Sequence, residues 1–263
     1  MVSLLACLAL LLTAPGAETQ PVDETLQNMV LIAAGPFIQG SDHPRADDDE
    51  KPAQRRHLPA YWLDRDEVTN AQFAAFVDAT QYRTQAEEPD QTEGQDGISW
   101  RQPEGTGSDV DQRLDHPVVY VSWRDAQAYC TWRGKRLPTE AEWEKGARSA
   151  DGRIWPWGDQ PGPDRANTWG SGDPFSGTAP VGSLPQGHSP YGLRDMAGNV
   201  WEWCADWYTA PATSLPTAPA DSLKVLRGGS WINPIHTARS SNRFEIIPQE
   251  RSAYVGFRCA CTP

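Results

Sequence analysis

The spacing of apolar positions changes along this chain, and each change marks an element. "MVLIAAGPFIQGS" from Met29 is apolar and broken by Gly35-Pro36, which predicts a strand pair or one bent strand. "LPAYWLDRDEVT" (58–69) predicts a second strand running into a helix near Asn70–Ala79. There Thr69 and Gln72 have the spacing of a capping box, and Phe73, Phe76 and Val77 fall on one face. "HPVVYVSW" (116–123) predicts another strand. Ser122 then caps a helix with Ala126, Tyr129 and Cys130 on one side, and Gly134 ends it. Thr139 and Glu142 repeat the capping box ahead of a third helix, which turns Trp143 and Ala147 inward. "LKVLRGG" and "YVGFRCAC" read as strands, the second closing the fold.

The intervals are as informative. Residues 82–114 are polar and predict a long surface insertion, and 209–220 form a Pro/Ala/Thr-rich loop. Residues 155–191 are crowded with Gly, Pro, Asn and Asp, so something other than strand ladders must organise them. Neither a repeat nor a linker is evident, and 29–263 reads as one domain of α+β class. Residues 18–28 read as a flexible leader. "MVSLLACLALLLTAPGA" (1–17) is shorter than a membrane span and reads as a signal peptide, with Pro15-Gly16-Ala17 at the cleavage site. It lacks a basic start, which leaves a start further upstream open. "LLAC" at Cys7 leaves a lipoprotein open as the alternative to plain secretion.

Composition narrows the function. A net charge of −12 and the lack of any basic run argue against a nucleic-acid surface. Acidic clusters such as Asp47–Glu50 read as solvated loops, unless a carboxylate holds calcium. Twelve tryptophans beside 22 Gly and 23 Pro predict packed loops pinned by large rings. Four cysteines follow the signal segment: Cys130, Cys204, Cys259 and Cys261. An even count in an exported chain points to disulfides, and the spacing matches no zinc or C-x-x-C redox motif.

Five motifs then occur in order: "HPVVYVSWRDAQAYCTWRGKRLPTEAEWEKGAR", "GTAPVGS", "YGLRDMAGNVWEW", "KVLRGGSW" and "GFRCA". Together they resemble the formylglycine-generating enzyme, or sulfatase-modifying factor, family from about Met29 to Ala260. The resemblance implies a loop-rich fold, a variant of the C-type-lectin fold. It also implies structural calcium, which favours six to eight hard oxygens. One implied ligand set is Asn167 and Asp173 by side chain with the Thr168 and Phe175 carbonyls, and Glu50 is a further ligand in the N-terminal part. The second is Asp195 and Glu202 by side chain with the Gly198 and Val200 carbonyls. Ordinary turn chemistry is the plainer reading of Asn167, Asp173 and Asp195. The resemblance further pairs Cys130 with Cys259. Cys204 and Cys261 have no template there; they pair with each other or one stays free.

"RGGSWINPIHTARSSNRF" (227–244) is where this chain departs from the family's oxidases. In those enzymes two cysteines in this stretch supply soft thiolates for Cu(I), and the oxidised substrate is a peptide cysteine. Here Asn233 stands at the first cysteine position, and the second falls around His236–Ala238. Copper is therefore not expected. Ser230 and Trp201, which the resemblance places on the substrate cleft, persist, as does Trp231. The Asn expected before "GFRC" is replaced, with Tyr254 nearby. The candidate cleft is Trp201, Ser230, Trp231, Asn233, His236 and Arg239, with no catalytic residue assigned. His236 is alone, whereas a metal site needs converging ligands. Arg239 and Arg243 could clamp an acidic group, though loop salt bridges are the default. Glu245 could act as a base only if buried.

The resulting expectation is a periplasmic or secreted protein that tailors or matures a peptide-like substrate, in the manner of an oxidoreductase of pyoverdine maturation. The alternative is a non-catalytic module binding a peptide-like or small-molecule ligand. A formylglycine-generating oxidase is disfavoured. Whether the chain is an enzyme, and its oligomeric state, stay open at this level.

Overall fold

Capping decides where the helices begin. The computed structural model describes residues 26–88, 97–209 and 222–263. In it α1 (Asn70–Thr80) opens on Thr69, whose side chain accepts from the Gln72 N–H while Gln72 returns a bond to the Thr69 N–H. α2 (Trp123–Trp132) opens on Ser122 with Asp125 as the returning partner. α3 (Glu140–Arg148) opens on Thr139 with Glu142. The signal segment lies outside the described residues, as do most of the leader and of the 209–220 loop. Among the described residues no helix is long and apolar enough to cross a membrane.

The strands are short and fall in three groups. β1 (Met29–Ile32), β4 (Tyr61–Asp64) and β9 (Ala260–Cys261) form an antiparallel sheet in the order β1-β4-β9. β2 (Gly35–Gln39) and β3 (Gln54–Leu58) pair as an antiparallel ribbon. The third sheet has the order β7-β6-β5-β8, from β5 (Trp201–Trp207), β6 (Lys224–Arg227), β7 (Phe244–Ile246) and β8 (Val255–Gly256). Among these strands only the β5–β8 pairing is parallel. α3 packs against β2, β5 and β6 and so ties the ribbon to this sheet.

Two buried clusters carry the packing. Phe73, Phe76, Trp100, Tyr129, Trp203 and Phe257 belong to one; Ile32, Tyr61, Leu63, Trp143, Leu193 and Met196 belong to the other. Cys130 and Cys259 are bonded at 2.08 Å and tie α2 to the C-terminal strands. Cys204 and Cys261 are free thiols rather than a second pair, the former buried within β5.

Three expectations change. "HPVVYVSW" is extended but joins no sheet: the Val118 N–H goes to Val68 O and the Tyr120 N–H to Ser252 O, and Tyr120 turns to a φ of 58°. The closing strand divides into β8 and β9, which belong to different sheets. Finally, the polar stretch 82–114 is not all surface, because Trp100 is fully buried beside Phe73.

Charge is buried where composition suggested solvent. In α3 every residue but Ala141 is buried, including Glu140, Glu142, Glu144, Lys145 and Arg148. Each is matched: Arg227 reaches Glu144 at 2.7 Å, Arg148 reaches Glu144 at 3.0 Å, and Lys145 donates to Ala33 O at 2.7 Å. Buried charge survives only when paired and hydrogen-bonded, and here the pairs join the helix to β6 and to the β1–β2 connection. Glu50 is likewise buried rather than solvated, gripped by Arg239 and by Ser241 Oγ at 2.6 Å.

Candidate ligand site around Asn233

β6 ends in Gly228-Gly229, and these glycines let the chain turn sharply into the 230–239 segment. Gly229 has a φ of 76°, and a Cβ there would meet Ala238 at 3.0 Å. The segment folds back through a tight turn, with the Asn233 N–H donating to Ser230 O at 3.0 Å, and then a short 3-10 helix at Ile235–Ala238. Its outer side is pinned by indoles. Trp231 Nε1 donates to Ala253 O and Trp155 Nε1 to Ile235 O, both at 3.1 Å. The Trp169 N–H donates to Asn233 O at 2.9 Å.

The Asn233 side chain is the centre of this arrangement. Its Oδ1 accepts from Ser230 Oγ at 2.6 Å and from Trp201 Nε1 at 2.9 Å. Ser230 and Trp201 are buried, whereas Asn233 is half-buried. Three of the six candidate residues thus form one hydrogen-bonded node. Trp231 sits beside it and also lines a cavity of about 490 Å³ together with Pro117, Tyr120 and Phe175.

The other two candidates do different work. Arg239 faces inward, donating to Glu50, to Asp47 Oδ2 at 3.2 Å and to His236 O. It anchors the segment and clamps no ligand. His236 is exposed and contributes its carbonyl to Arg239. Arg243 is also engaged, with Glu140 at 2.6 Å. Glu245 is half-buried on β7, and burial pushes its carboxyl above the usual range.

The residues present do not fit a copper dithiolate. Asn233 offers a carboxamide already committed to two donors, and His236–Ala238 offers no thiol; Ala238 is fully buried. The calcium sets give a divided answer. Glu50 does not fit, because Arg239, Ser241 and the Asp47 N–H take its oxygens. Asn167 uses its Nδ2 on Gly177 O and Asn199 Oδ1, while Asp173 closes its own turn on the Phe175 N–H at 2.9 Å. Glu202, on β5, gives both oxygens to Arg258, at 2.6 and 2.7 Å, and accepts from Trp143 Nε1 at 2.8 Å.

A carboxylate that sequence reasoning passed over lies beside Glu202. Glu67 is buried, and its Oε1 has no partner. Its other oxygen accepts from Asn199 Nδ2 at 2.7 Å. Burial and the nearby charges of Asp195 and Glu202 push the Glu67 carboxyl well above its ordinary range, and burial pushes Asp195 up to about 6. The loop that brings Asp195 here has Asp195, Gly198 and Asn199 all at positive φ. Gly198 is required, since a Cβ there would lie 2.3 Å from Asn167 O. Among the described residues no three His, Cys, Asp or Glu side chains are arranged to hold a metal by themselves. Carbonyl oxygens would have to complete any site at Glu67 and Asp195, which suits calcium chemistry. Sequence signalled Glu67 only as one of four consecutive charged residues in "DRDE".

The loop-rich α+β fold and the motifs around this node belong to a definable class. The model of the sulfatase-modifying factor enzyme 1-like domain matches residues 13–263, and the chain belongs to that family. It is 39% identical to the formylglycine-generating enzyme of Thermomonospora curvata, over 91% of this chain and 95% of that one. It is 38% identical to the inactive C-alpha-formylglycine-generating enzyme 2 of Bos taurus, over 89% of this chain and 87% of that one. Among solved structures it resembles PvdO from Pseudomonas aeruginosa, with a TM-score of 0.72 and 30% identity over 89% of this chain and 94% of that one.

Proposed function

We propose that this chain is an exported maturation factor that takes a peptide-like substrate at the Asn233 node, and that it works without the copper dithiolate of the family's oxidases. The observation that carries this reading is the convergence of Ser230 Oγ and Trp201 Nε1 on Asn233 Oδ1. Ser230 and Trp201, which the resemblance places on the substrate cleft, persist and meet at the node, while the position of the first thiolate holds an amide. The likeness to PvdO, in sequence as well as fold, supports a tailoring role.

A second reading, binding without chemistry, is favoured by one feature of the node. Neither Asn233 nor Ala238 is a nucleophile or a redox ligand, and the neighbouring Arg239 and Arg243 are held by carboxylates of the chain. The relative from Bos taurus described as inactive supports this reading too.

One experiment separates the readings. The purified chain is incubated with a pooled library of blocked pentapeptides that includes Cys-x-Pro-x-Arg members, with copper and oxygen present. Retained peptides and their masses are then read by mass spectrometry. Retention with a mass change supports tailoring, and retention without one supports binding alone. An aldehyde formed on the Cys-x-Pro-x-Arg peptides would overturn the copper-free reading, and no retention at all would overturn both.

We also propose that calcium is the structural ion, held by Glu67 and Asp195 with the Gly198 and Val200 carbonyls among the remaining ligands. There it would neutralise crowded carboxylates and fix the 195–200 loop that leads into Trp201. The unpartnered Oε1 of Glu67 supports this assignment.

A further inference from the structure

The node fixes more than the position of Asn233. A carboxamide has an acceptor end and a donor end, and which is which is settled by its partners. Here both partners are donors: an indole N–H and, at 2.6 Å, the Ser230 hydroxyl. They identify the buried end as Oδ1. The NH2 group must then point the other way. Asn233 Nδ2 has no hydrogen-bond partner among the described residues, and it is not among the buried unpartnered atoms, so it is open to solvent.

We infer that Asn233 Nδ2 is a preorganised donor for an uncharged carbonyl of the ligand, supplied by an extended peptide. This rests on the peptide reading above and names the contact that would recognise the peptide. Three observations select that ligand. First, the donor is held by the Ser230 and Trp201 bonds, so little rotamer freedom is lost when it binds. Second, its surroundings are apolar and exposed. Trp169, whose N–H bonds to Asn233 O, is 71% exposed, and Ile232, next in the chain, is 40% exposed. The Phe244 ring, 38% exposed, lies 5.3 Å from Trp201. One fixed donor among apolar surfaces suits a backbone carbonyl flanked by an apolar side chain. It suits a sugar poorly, since a sugar needs several polar partners. Third, the arginines next to the node are committed, Arg239 to Glu50 and Asp47 and Arg243 to Glu140, and the chain carries a net charge of −12. A carboxylate would meet repulsion at long range and no counter-charge at short range. A neutral amide meets neither difficulty.

The position that the family's oxidases fill with a thiolate is thus turned from a metal-binding point into a hydrogen-bond donor. The test is the side-chain amide resonance of Asn233 in 15N-labelled full-length protein, titrated with N-acetyl-leucinamide and, separately, with acetate. The resonance should shift saturably with the amide and not with acetate. Asn233→Asp keeps an acceptor for Trp201 and Ser230 but removes the donor. It should weaken N-acetyl-leucinamide binding about tenfold, read from the Trp169 indole resonance. Trp169→Ala should also weaken binding while leaving the Asn233 resonance position in the free protein nearly unchanged. An Asn233→Asp variant that binds the probe as well as the parent overturns the donor assignment and leaves peptide binding standing. A preference for acetate overturns the choice of a neutral ligand. No shift at the node with either probe overturns the inference together with the peptide reading on which it rests.

Discussion

Arg258 holds both oxygens of Glu202, at 2.6 and 2.7 Å, with neither side chain exposed to solvent. The same guanidinium donates to the carbonyls of Asp64, Arg65 and Arg194. One side chain therefore ties β5 to the end of β4 and to the loop that approaches Asp195. Trp201, the indole that orients Asn233, is the neighbour of Glu202 on β5. The Asn233 node is thus built on a buried ionic crosslink rather than on a long strand ladder.

Arg258→Met should cost about 3–5 kcal/mol, because it strands the Glu202 carboxylate in the interior. Urea denaturation followed by tryptophan fluorescence measures it. The double variant Arg258→Met with Glu202→Leu should recover a large part of the loss. A single variant costing under about 1 kcal/mol would mean that water or an ion replaces the guanidinium, and the crosslink would lose its importance.

Calcium should raise the melting temperature of the parent protein. At about a hundred times its dissociation constant an ion that binds only the folded chain adds roughly 2.7 kcal/mol, or some 5–10 °C for a domain of this size. Glu67→Gln should remove most of that gain. In chelator the same variant should melt above the parent, because it replaces a carboxyl whose ionisation is opposed by burial and by Asp195 and Glu202. A Glu67→Gln protein with the full calcium response would relocate the ion. Glu50→Gln should leave the response intact, since Glu50 is committed to Arg239 and Ser241.

What could be read in advance follows from how far each signal reaches along the chain. Thr69 with Gln72, and Thr139 with Glu142, are contacts within one turn, and local spacing was enough to place α1 and α3. The five ordered motifs implied Trp201, Ser230 and Asn233 as cleft residues by resemblance, and the structure brings these three side chains into hydrogen-bonding contact. Long-range charge pairing was invisible. Nothing local marks Arg239 as the partner of Glu50, 189 residues away, or separates the buried Glu67 from its exposed neighbour Arg65. Trp100 was hidden for a similar reason. It is one ring in a polar stretch with no periodicity around it, and only the packing of Phe73 against it shows that it is core.

The Cys130–Cys259 bond spans 129 residues. In the chain-entropy view a loop of that length stabilises the folded state by about 4–5 kcal/mol. Replacing both cysteines by Ala should lower the urea midpoint strongly while leaving the Asn233 node formed in the folded fraction. The check is a pair of measurements, denaturation and the Asn233 side-chain resonance. A normal midpoint would show that burial of α2 against Phe257 suffices without the bond. Alkylating the exposed share of the Cys261 thiol in the parent should have little effect, since that thiol is free and lies at the edge of the fold.

The capping box of α3 should give a measurable pH dependence. Burial acts against ionisation of Glu142, but the bidentate bond from Arg136, at 2.7 Å to each oxygen, and the Thr139 N–H at 2.8 Å outweigh it and hold the carboxyl below its ordinary value of 4.5. A group whose folded value is depressed contributes stability that is present in full above its unfolded value. That contribution is lost as pH falls through the lowered folded value. Glu142→Gln should therefore destabilise the protein by about 2 kcal/mol at neutral pH, the scale of charge-assisted hydrogen bonds. The gap between parent and variant should narrow steadily below pH 4.5 as the parent carboxylate takes up its proton. Chemical denaturation at a series of pH values measures that gap. A gap of constant size down to acid pH would show that Glu142 acts through its shape and its neutral hydrogen bond to Thr139. The Arg136 ion pair would then add nothing to the start of α3.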